Sequence, residues 1–401
     1  MNRSEQFVHD LARAAFLSLW TYPNPVGKDS SKELCDVLVV CRPDIVIFSV
    51  KEIELKADGD REIQVERWRR RAVDESVKQI RGAERRLQKT SEVLIPGGAS
   101  GVELGPQAQR VTHRVAVAIG SSGATPLESK DYGYGFVHVL DEEQLWLLLK
   151  HLDTITDFVE YLGGREQLVT NGTEGVLIGS EADLLAAYFF GKHSFDALKG
   201  REYDIRVIVG SWDDFAASAE YKAKRRADAA SYVWDRLISQ VHEDYALGRM
   251  DFGGDLASID AITRIMAREP RLGRRVLGRM LHDFLQNEKV RSRIMLGDSG
   301  IAYVLLKQKH ALPREDRAKE LQLRCFIARD WLEEVGRPNI VVGIATEHPE
   351  VGSGFSLDLC LFDAPTWGAD QREAARKMRE DLDFFKNVQT RNAGEDEFPE
   401  G

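Results

Sequence analysis

The chain has 401 residues, 43% of them hydrophobic and 30% charged, so it is long enough for two or three globular domains. Its net charge of −10 argues against a surface that is positively charged throughout, as expected of a dedicated nucleic-acid-binding protein. No apolar run is long enough to span a bilayer, and charges interrupt the N-terminal segment MNRSEQFVHDLARAAF, which argues against a secretory signal. We therefore expect a cytoplasmic protein.

The cysteines and histidines do not form the pattern of a zinc site. No two of the nine histidines have metal-ligand spacing on one element, so a zinc hydrolase is not indicated. The cysteines show no CxxC spacing and lie in apolar stretches, which favours reduced thiols in the core over disulfides. They are Cys35, Cys41, Cys325 and Cys360.

The chain begins with a predicted helix over residues 5–20, which Ser4 is placed to cap. Apolar residues at helical spacing predict its buried face. These residues are Phe7, Leu11, Ala15 and Leu19. After a break rich in proline and glycine, residues 31–56 predict two buried strands. Pro43 places the turn between them at about 41–44, because proline fits a turn and not a central strand.

Charged residues interrupt this predicted hairpin. With the turn centred between Arg42 and Pro43, opposed residues have numbers that sum to about 85, so Asp36 faces Ser49. Alternation places Lys51 on the face of Asp36 and Ser49, and it places the other charges on the opposite face. Those other charges are Glu52, Glu54 and Lys56. An acid and a lysine on neighbouring strands suit phosphodiester hydrolysis, because carboxylates hold Mg²⁺ and lysine stabilises charge at phosphorus.

A long helix is predicted over residues 62–90, and it is locally basic. From Arg61 to Lys89 the sequence has ten Lys or Arg residues against five Asp or Glu. Two interpretations stay open: a solvated face with ion pairs, or a phosphate-backbone contact beside the hairpin. Its predicted inner face consists of Val65, Trp68, Ala72, Ser76, Gln79, Ile80 and Ala83.

The remaining elements predict two domains. Strands at 114–120 and 136–141 and a helix at 142–162 complete an α/β sandwich with one mixed sheet over residues 1–165. A connecting helix or linker follows at 166–199, then a helix-rich α/β domain at 200–388 and an acidic, disordered tail at 389–401. In the second domain, four arginines predict a solvated helix face or an extension of a nucleic-acid track. They are Arg271, Arg274, Arg275 and Arg279.

The segments ELCDVLVV and IVIFSVK resemble the PD-(D/E)XK, or restriction-endonuclease-like, superfamily, in its branches written E-x-x-D, strand, turn, strand, (D/E)-x-K. The resemblance covers residues 1 to about 165 and implies a mixed central sheet flanked by helices. It implies that Asp36 is the acid of the first strand, Lys51 the lysine and Glu33 the upstream acid. It also implies that the helix carrying Glu75 and Gln79 supplies supporting polar residues.

The sequence departs from this family pattern at Ser49, which stands where the second acid is expected. Serine can bind the water of a metal ion but carries no charge, so another carboxylate must complete the site. The candidates are Glu33, Glu75, and Glu5 or Asp10 of the first helix. Glu54-Leu55-Lys56 also matches E-x-K, but it lies beyond the opposed part of the hairpin. The expected catalytic residues are Asp36, Lys51, Glu33, Ser49 and Gln79, and the expected metal ligands are Asp36, Glu33 and Glu75.

The resemblance implies an endonuclease that depends on Mg²⁺ or Mn²⁺ and acts on DNA, as an effector of bacterial defence against phage or foreign DNA. The C-terminal domain would then sense a trigger, bind a protein partner or form a homo-oligomer. Because Ser49 removes a charge from the site, the alternative is a catalytically inactive nuclease fold. Such a protein would act as a scaffold that binds nucleic acid or a partner.

Overall fold

A computed structural model describes two compact units, Met1–Tyr221 and Lys222–Gly401. The residues described are 1–27, 30–56, 60–95, 101–121, 123, 125, 127–171, 176–198, 206–249, 256–308, 313–336, 340–347, 356–364, 366–385 and 394–399. The first unit thus continues to Tyr221, past the boundary that the sequence predicted between 165 and 200. Within these ranges, no helix combines the length and the apolar character needed to cross a membrane.

The first unit alternates helices and strands. Its helices are α1 (Arg3–Phe16), α2 (Arg61–Arg69), α3 (Glu75–Leu87), α4 (Glu142–His151), α5 (Ile155–Thr170), α6 (Glu181–Phe190) and α7 (Ser211–Ala217). Its strands are β1 (Thr21–Pro23), β2 (Val26–Gly27), β3 (Ser30–Glu33), β4 (Val37–Cys41), β5 (Asp44–Glu52), β6 (Glu92–Leu94), β7 (Gly101–Glu103), β8 (Val111–Ile119), β9 (Lys130–Asp131), β10 (Phe136–Leu140), β11 (Val176–Ile178) and β12 (Arg206–Ile208). A π-helical segment, Arg70–Asp74, joins α2 to α3 as one long helix.

A six-stranded mixed sheet in the order β1-β4-β5-β8-β10-β9 forms the centre of this unit. Strand β4 is antiparallel to β1 and β5, whereas β5, β8 and β10 run parallel to one another. The predicted mixed α/β architecture is confirmed. The prediction of a single sheet over residues 1–165 is wrong, because four short strands pair separately as β3-β2-β6-β7; the pair β11-β12 lies after that range.

The hairpin β4–β5 has the predicted register. Val37 pairs with Phe48 and Leu38 with Ile47, so paired residue numbers sum to 85, and the turn lies between Cys41 and Asp44. The hairpin begins later than predicted, because Glu33 ends β3 and pairs with Val26 in the small sheet. Glu33 therefore belongs to β3 and not to the hairpin, so the alternation of side chains along β4 and β5 does not determine its orientation.

Alternation along β5 divides its side chains between two layers of helices. Ile45 and Ile47 pack with Trp68 and Ile80 of the long helix in one apolar cluster. On the opposite face, Phe48 contacts Phe158 of α5. Ser49 and Lys51 follow Ile45 and Ile47 in the alternation, so they project towards α3.

The first helix differs from its prediction in both cap and buried face. Asn2 caps it through a capping box with Glu5, whereas Ser4 lies inside the helix and its hydroxyl contacts Glu52. The helix ends at Phe16, and a 3₁₀ turn covers Ser18–Trp20. Its apolar buried residues are Val8, Ala12, Ala15 and Phe16. Of the predicted face, Ala15 and Leu19 are buried, whereas Phe7 and Leu11 are half-buried because Val8 and Ala12 take the inner positions.

The second unit is rich in helices around a four-stranded sheet. Its helices are α8 (Ala219–Ala227), which begins at the end of the first unit, α9 (Tyr232–Ala246), α10 (Leu256–Ala267), α11 (Arg271–Gln286), α12 (Arg314–Glu334) and α13 (Ala369–Asp381). Its strands are β13 (Ser292–Leu296), β14 (Ile301–Lys307), β15 (Ile340–Thr346) and β16 (Leu357–Asp363), in the order β13-β14-β15-β16. The sequence did not predict β13 and β14. Its helical periodicity predicted one helix over about 256–288, but Pro270 divides this stretch into α10 and α11 as the N-cap of α11.

Three of the four arginines of α11 are buried and only Arg279 is exposed, so the prediction of a solvated basic face or nucleic-acid track is wrong for these three. Arg271 and Arg274 both bind Asp235, at 2.7 and 2.6 Å, and both are at least 95% buried. Arg275 binds Asp228 at 3.2 Å. These carboxylates lie on or just before α9, so the residue pattern of α11 alone could not identify them as partners.

Where the structure describes the acidic tail, its carboxylates pair with basic side chains of α8 and α11. Glu395 binds Arg275 at 3.1 Å and Arg279 at 2.8 Å, and Glu397 binds Lys224 at 3.5 Å. The predicted tail residues 389–393 lie outside the described residues. The described part of the tail therefore contacts α11 through charged side chains, although it lacks any apolar periodicity.

Candidate functional site

The predicted site residues of the hairpin meet at one carboxamide, that of Gln79. Its Nε2 donates to Asp36 Oδ1 at 3.0 Å. Its Oε1 accepts from Lys51 Nζ at 2.7 Å and from Ser49 Oγ at 3.0 Å. Asp36, Ser49, Lys51 and Gln79 are thus brought together as the hairpin register and the inner face of the helix predicted.

Asp36 is held in a buried, polar position. It is 4% exposed, and its Oδ2 accepts the backbone N–H of Val50 at 2.5 Å. Burial raises the pKa of this carboxyl, and the Val50 N–H, the Lys51 charge and the Gln79 amide oppose that rise. The pKa of Asp36 is therefore raised overall, because burial outweighs the three contacts that stabilise the charged form.

Two further carboxylates share a cleft with Asp36. The cleft has a volume of about 510 Å³, and Glu5 of α1 and Glu33 of β3 line it together with Asp36 and Gln79. Burial first, and then the charges of Asp36 and Glu5, raise the pKa of Glu33. Glu5 was one of several alternatives in the sequence, and the structure places it beside Glu33 and Asp36. Ser49 and Lys51 are connected to this cleft through Gln79.

The other two candidate acids lie elsewhere. Glu75 is exposed and pairs with Lys78 at 2.7 Å, and this hydrogen bond and charge lower the pKa of Glu75. Asp10 accepts a hydrogen bond from Gln6 at 2.8 Å on the exposed side of α1. Neither residue lines the cleft. Glu54 and Lys56, of the literal E-x-K match, follow the end of β5 and are exposed.

Basic residues also line the cleft, and the sequence analysis did not single them out. They are Lys32, Lys78, Arg85 and Arg86. The guanidinium of Arg86 donates to the carbonyl oxygens of Glu33 at 2.5 Å and Leu34 at 3.2 Å, so it positions the segment that carries Glu33. The signal was present in the sequence, since Gln79, Gly82 and Arg86 have the i, i+3, i+7 spacing of one helix face.

The interpretation of the basic helix as a face with ion pairs applies to part of it. Arg69 pairs with Glu128 at 2.8 Å, and Glu84 forms a bidentate pair with Arg114, so part of the helix is engaged in ion pairs. Arg85 is an exposed cation of the cleft wall. The cleft is therefore lined by both carboxylates and cations.

No family model, curated protein or solved structure matches this chain. The site must therefore be judged on its own geometry.

The residues fit a magnesium ion only in part. Among the residues described, no group of three His, Cys, Asp or Glu side chains is arranged to hold a metal ion. Mg²⁺, however, keeps several waters and is commonly held by one or two carboxylates together with substrate phosphates. Asp36 and Glu33 supply carboxylate oxygens in one cleft, which suits this type of site and not a cage made of protein ligands alone.

Proposed function

We propose that the first unit is a metal-dependent nuclease that hydrolyses phosphodiester bonds, with DNA as its substrate. The observation that carries the proposal is the convergence of Asp36, Ser49 and Lys51 on Gln79 at the edge of a cleft. The order of elements around it also supports the restriction-endonuclease-like assignment: a helix, an antiparallel hairpin, a helix and a parallel strand.

In this proposal Asp36 and Glu33 hold Mg²⁺ or Mn²⁺, and Glu33 stands in for the acid missing at Ser49. The ion supplies polarisation of a phosphate oxygen and a more acidic bound water. Lys51 stabilises negative charge as it develops on the phosphate, and Gln79 orients both Asp36 and Lys51. Lys32, Arg85 and Arg86 attract the substrate backbone into the cleft.

The test is cleavage of supercoiled plasmid in the presence of Mg²⁺ or Mn²⁺, with chelator as a blank. Lys51→Ala is compared with Lys56→Ala, a matched lysine that belongs to the literal E-x-K segment and lies exposed beyond β5. We expect cleavage by the wild type and by Lys56→Ala, and its loss in Lys51→Ala. Cleavage that survives Lys51→Ala would contradict the proposed role of this site.

A second candidate function is a catalytically inactive nuclease fold that binds nucleic acid as a scaffold. Ser49 in place of the second acid favours it, as does the lack of a three-ligand group among the described residues. This candidate predicts binding of labelled DNA in a fluorescence anisotropy assay without cleavage under any metal condition. Through the resemblance alone, the first proposal also includes a role in bacterial defence against foreign DNA.

A further inference from the structure

The second unit brings together two thiols from elements that are far apart in the sequence. Cys325 lies within α12 and is fully buried against residues of β14 and β15. Cys360 lies in the edge strand β16, is half-buried and packs against the same apolar cluster. One thiol is therefore enclosed and the other is accessible from solvent.

Gly343 of β15 determines how close the two thiols come. A Cβ atom on Gly343 would lie 2.5 Å from Cys325 Sγ, so this sulfur occupies space that only glycine leaves open. Gly343 pairs directly with Cys360 in the antiparallel ladder. Directly paired residues have Cα atoms about 4.5–5.5 Å apart and project to the same face. Cys360 is thus next to the position that Cys325 Sγ occupies, within the reach of disulfide geometry.

The two thiols differ in reactivity. A hydrogen bond from the Cys325 thiol lowers the pKa of Cys360. The same interaction, together with burial, raises the pKa of Cys325 well above its usual value. Cys360 is therefore the thiol that reacts first with an oxidant, because it is both more exposed and more readily ionised.

We propose that Cys325 and Cys360 form an oxidisable pair that a hydroperoxide converts into an intramolecular disulfide. The Cys360 thiolate attacks a peroxide oxygen, the O–O bond breaks, and the leaving hydroxide takes up a proton to form water. Cys325, after losing its proton, attacks the sulfur of the resulting sulfenic acid, and a second water leaves. The two thiols lose two electrons and two protons in total, and hydrogen peroxide is reduced to two waters. The bond ties α12 to the edge strand β16.

The test treats the full chain with hydrogen peroxide, alkylates the remaining thiols in denaturant and digests with trypsin without reductant. Cleavage after Arg324, Arg329 and Arg372 places Cys325 in peptide 325–329 and Cys360 in peptide 330–372. We expect mass spectrometry to find these two peptides joined, at the sum of their masses less two hydrogens, and separate after reduction. Cys35 and Cys41 of the first unit are internal controls that are expected to be recovered as alkylated thiols.

Two variants distinguish the order of the steps. In Cys325→Ser, dimedone is expected to label Cys360 as sulfenic acid, because no second thiol is present to attack it. In Cys360→Ser, the buried Cys325 is expected to stay reduced. Recovery of both cysteines as free thiols in peroxide-treated wild type, or linkage only between two chains on a non-reducing gel, overturns the proposal. The wild-type measurement does not depend on how the variants fold.

Discussion

The Gln79 carboxamide is bonded at both ends, to Asp36 through its nitrogen and to Lys51 and Ser49 through its oxygen. Gln79→Ala removes all three bonds and leaves the buried Asp36 without one of its donors. We expect the free energy of unfolding to fall by about 1–3 kcal/mol, as for other buried polar groups that lose a partner. Plasmid cleavage should fall by about 10- to 100-fold, since residues that orient a metal-site ligand have effects of this size.

Gln88→Ala is the matched control for this change. Gln88 lies at the end of the same helix, nine residues later, and its side chain is exposed. It is expected to leave both urea unfolding and plasmid cleavage close to wild type. Equal effects of the two substitutions would show that Gln79 acts only through helix stability.

Glu33 and Glu75 predict opposite pH dependences, although the sequence proposed both as metal ligands. The pKa of Glu33 is raised by burial and by Asp36 and Glu5, so the folded chain holds this proton more strongly than the unfolded chain. Stability that depends on Glu33 therefore falls as the pH rises above about 4.5, the ordinary glutamate value. Glu33→Gln should be as stable as wild type at low pH and more stable at neutral pH.

Lys78 lowers the pKa of Glu75, so the stability that depends on Glu75 changes with pH in the opposite direction. The contribution of Glu75 to the free energy of unfolding is present above the ordinary glutamate pKa and is lost as the pH falls through the lowered pKa. Glu75→Gln should therefore match wild type at low pH and be slightly less stable at neutral pH, because the pair is exposed. Urea titrations from pH 3.5 to 7.5 measure the stability of both variants. A change of the same sign at neutral pH in Glu33→Gln and Glu75→Gln would contradict the opposite pKa shifts of the two glutamates.

Single residues could be predicted where strand alternation determines their position. Asp36, Ser49 and Lys51 follow from the turn at Pro43 and a side-chain period of two. Glu5 could not be selected over Asp10, because both lie on one short helix whose buried face was displaced by one position. The choice depends on how α1 packs against the sheet, which is a tertiary contact with no local signal.

Arg86 shows how one element fixes another. Its guanidinium donates to the backbone carbonyls of three consecutive residues, including Glu33 and Leu34, and so ties α3 to the end of β3. Arg86→Leu should lower the free energy of unfolding by about 1–3 kcal/mol and weaken metal-dependent cleavage, because Glu33 is no longer held in the cleft.

Arg85→Leu is the matched comparison, since this neighbouring arginine is exposed in the wall of the same cleft. Its unfolding curve should stay near wild type, whereas the affinity for labelled DNA should decrease and depend less steeply on salt. Urea unfolding and fluorescence anisotropy at several salt concentrations separate the two effects. An unchanged unfolding curve for Arg86→Leu would show that its backbone contacts do not hold β3.

Helices and strands with a strong hydrophobic periodicity could be predicted, whereas short strands and hairpins were harder to predict. The long helix was found from its apolar face, and Trp68, Ala72, Ile80 and Ala83 are indeed buried. The hairpin β13–β14 was missed although its turn segment Gly297–Gly300 lies between two apolar runs, a recognisable signal for a hairpin. The small sheet with β3 was not predictable, because strands of two to four residues have too few side chains to show alternation.

At the scale of the whole molecule, the charge distribution misled the sequence analysis. A helix with four arginines in an acidic chain suggested an exposed patch, but three of them are buried with carboxylates from distant segments. The basic partner of the tail glutamate Glu395 is also distant in the sequence, since Arg275 lies more than a hundred residues earlier. Local composition indicates how many charges a segment has, and the fold decides which of them are paired.

Arg275 and Arg279 provide the last prediction, because they bind the same tail glutamate, Glu395, from positions one turn apart on α11. The Arg275 side chain is 0% exposed and also binds Asp228, so Arg275→Met removes one of the two buried cations that bind this carboxylate and leaves Lys224 as the other. We expect a loss of about 1–3 kcal/mol in the free energy of unfolding, because a buried charged group loses one of its partners.

Arg279→Met is the matched control, since the Arg279 side chain is 47% exposed and its ion pair is open to solvent. The expected loss is about 0–1 kcal/mol and should shrink in high salt. Removal of residues 394–401 takes away Glu395 and leaves Asp228 as a partner of Arg275, so its cost should lie between those of the two substitutions. Urea unfolding of the full chain measures all three. Equal losses for Arg275→Met and Arg279→Met would mean that burial does not determine how much these ion pairs stabilise the fold. The tail would then be a surface segment that contributes little to stability.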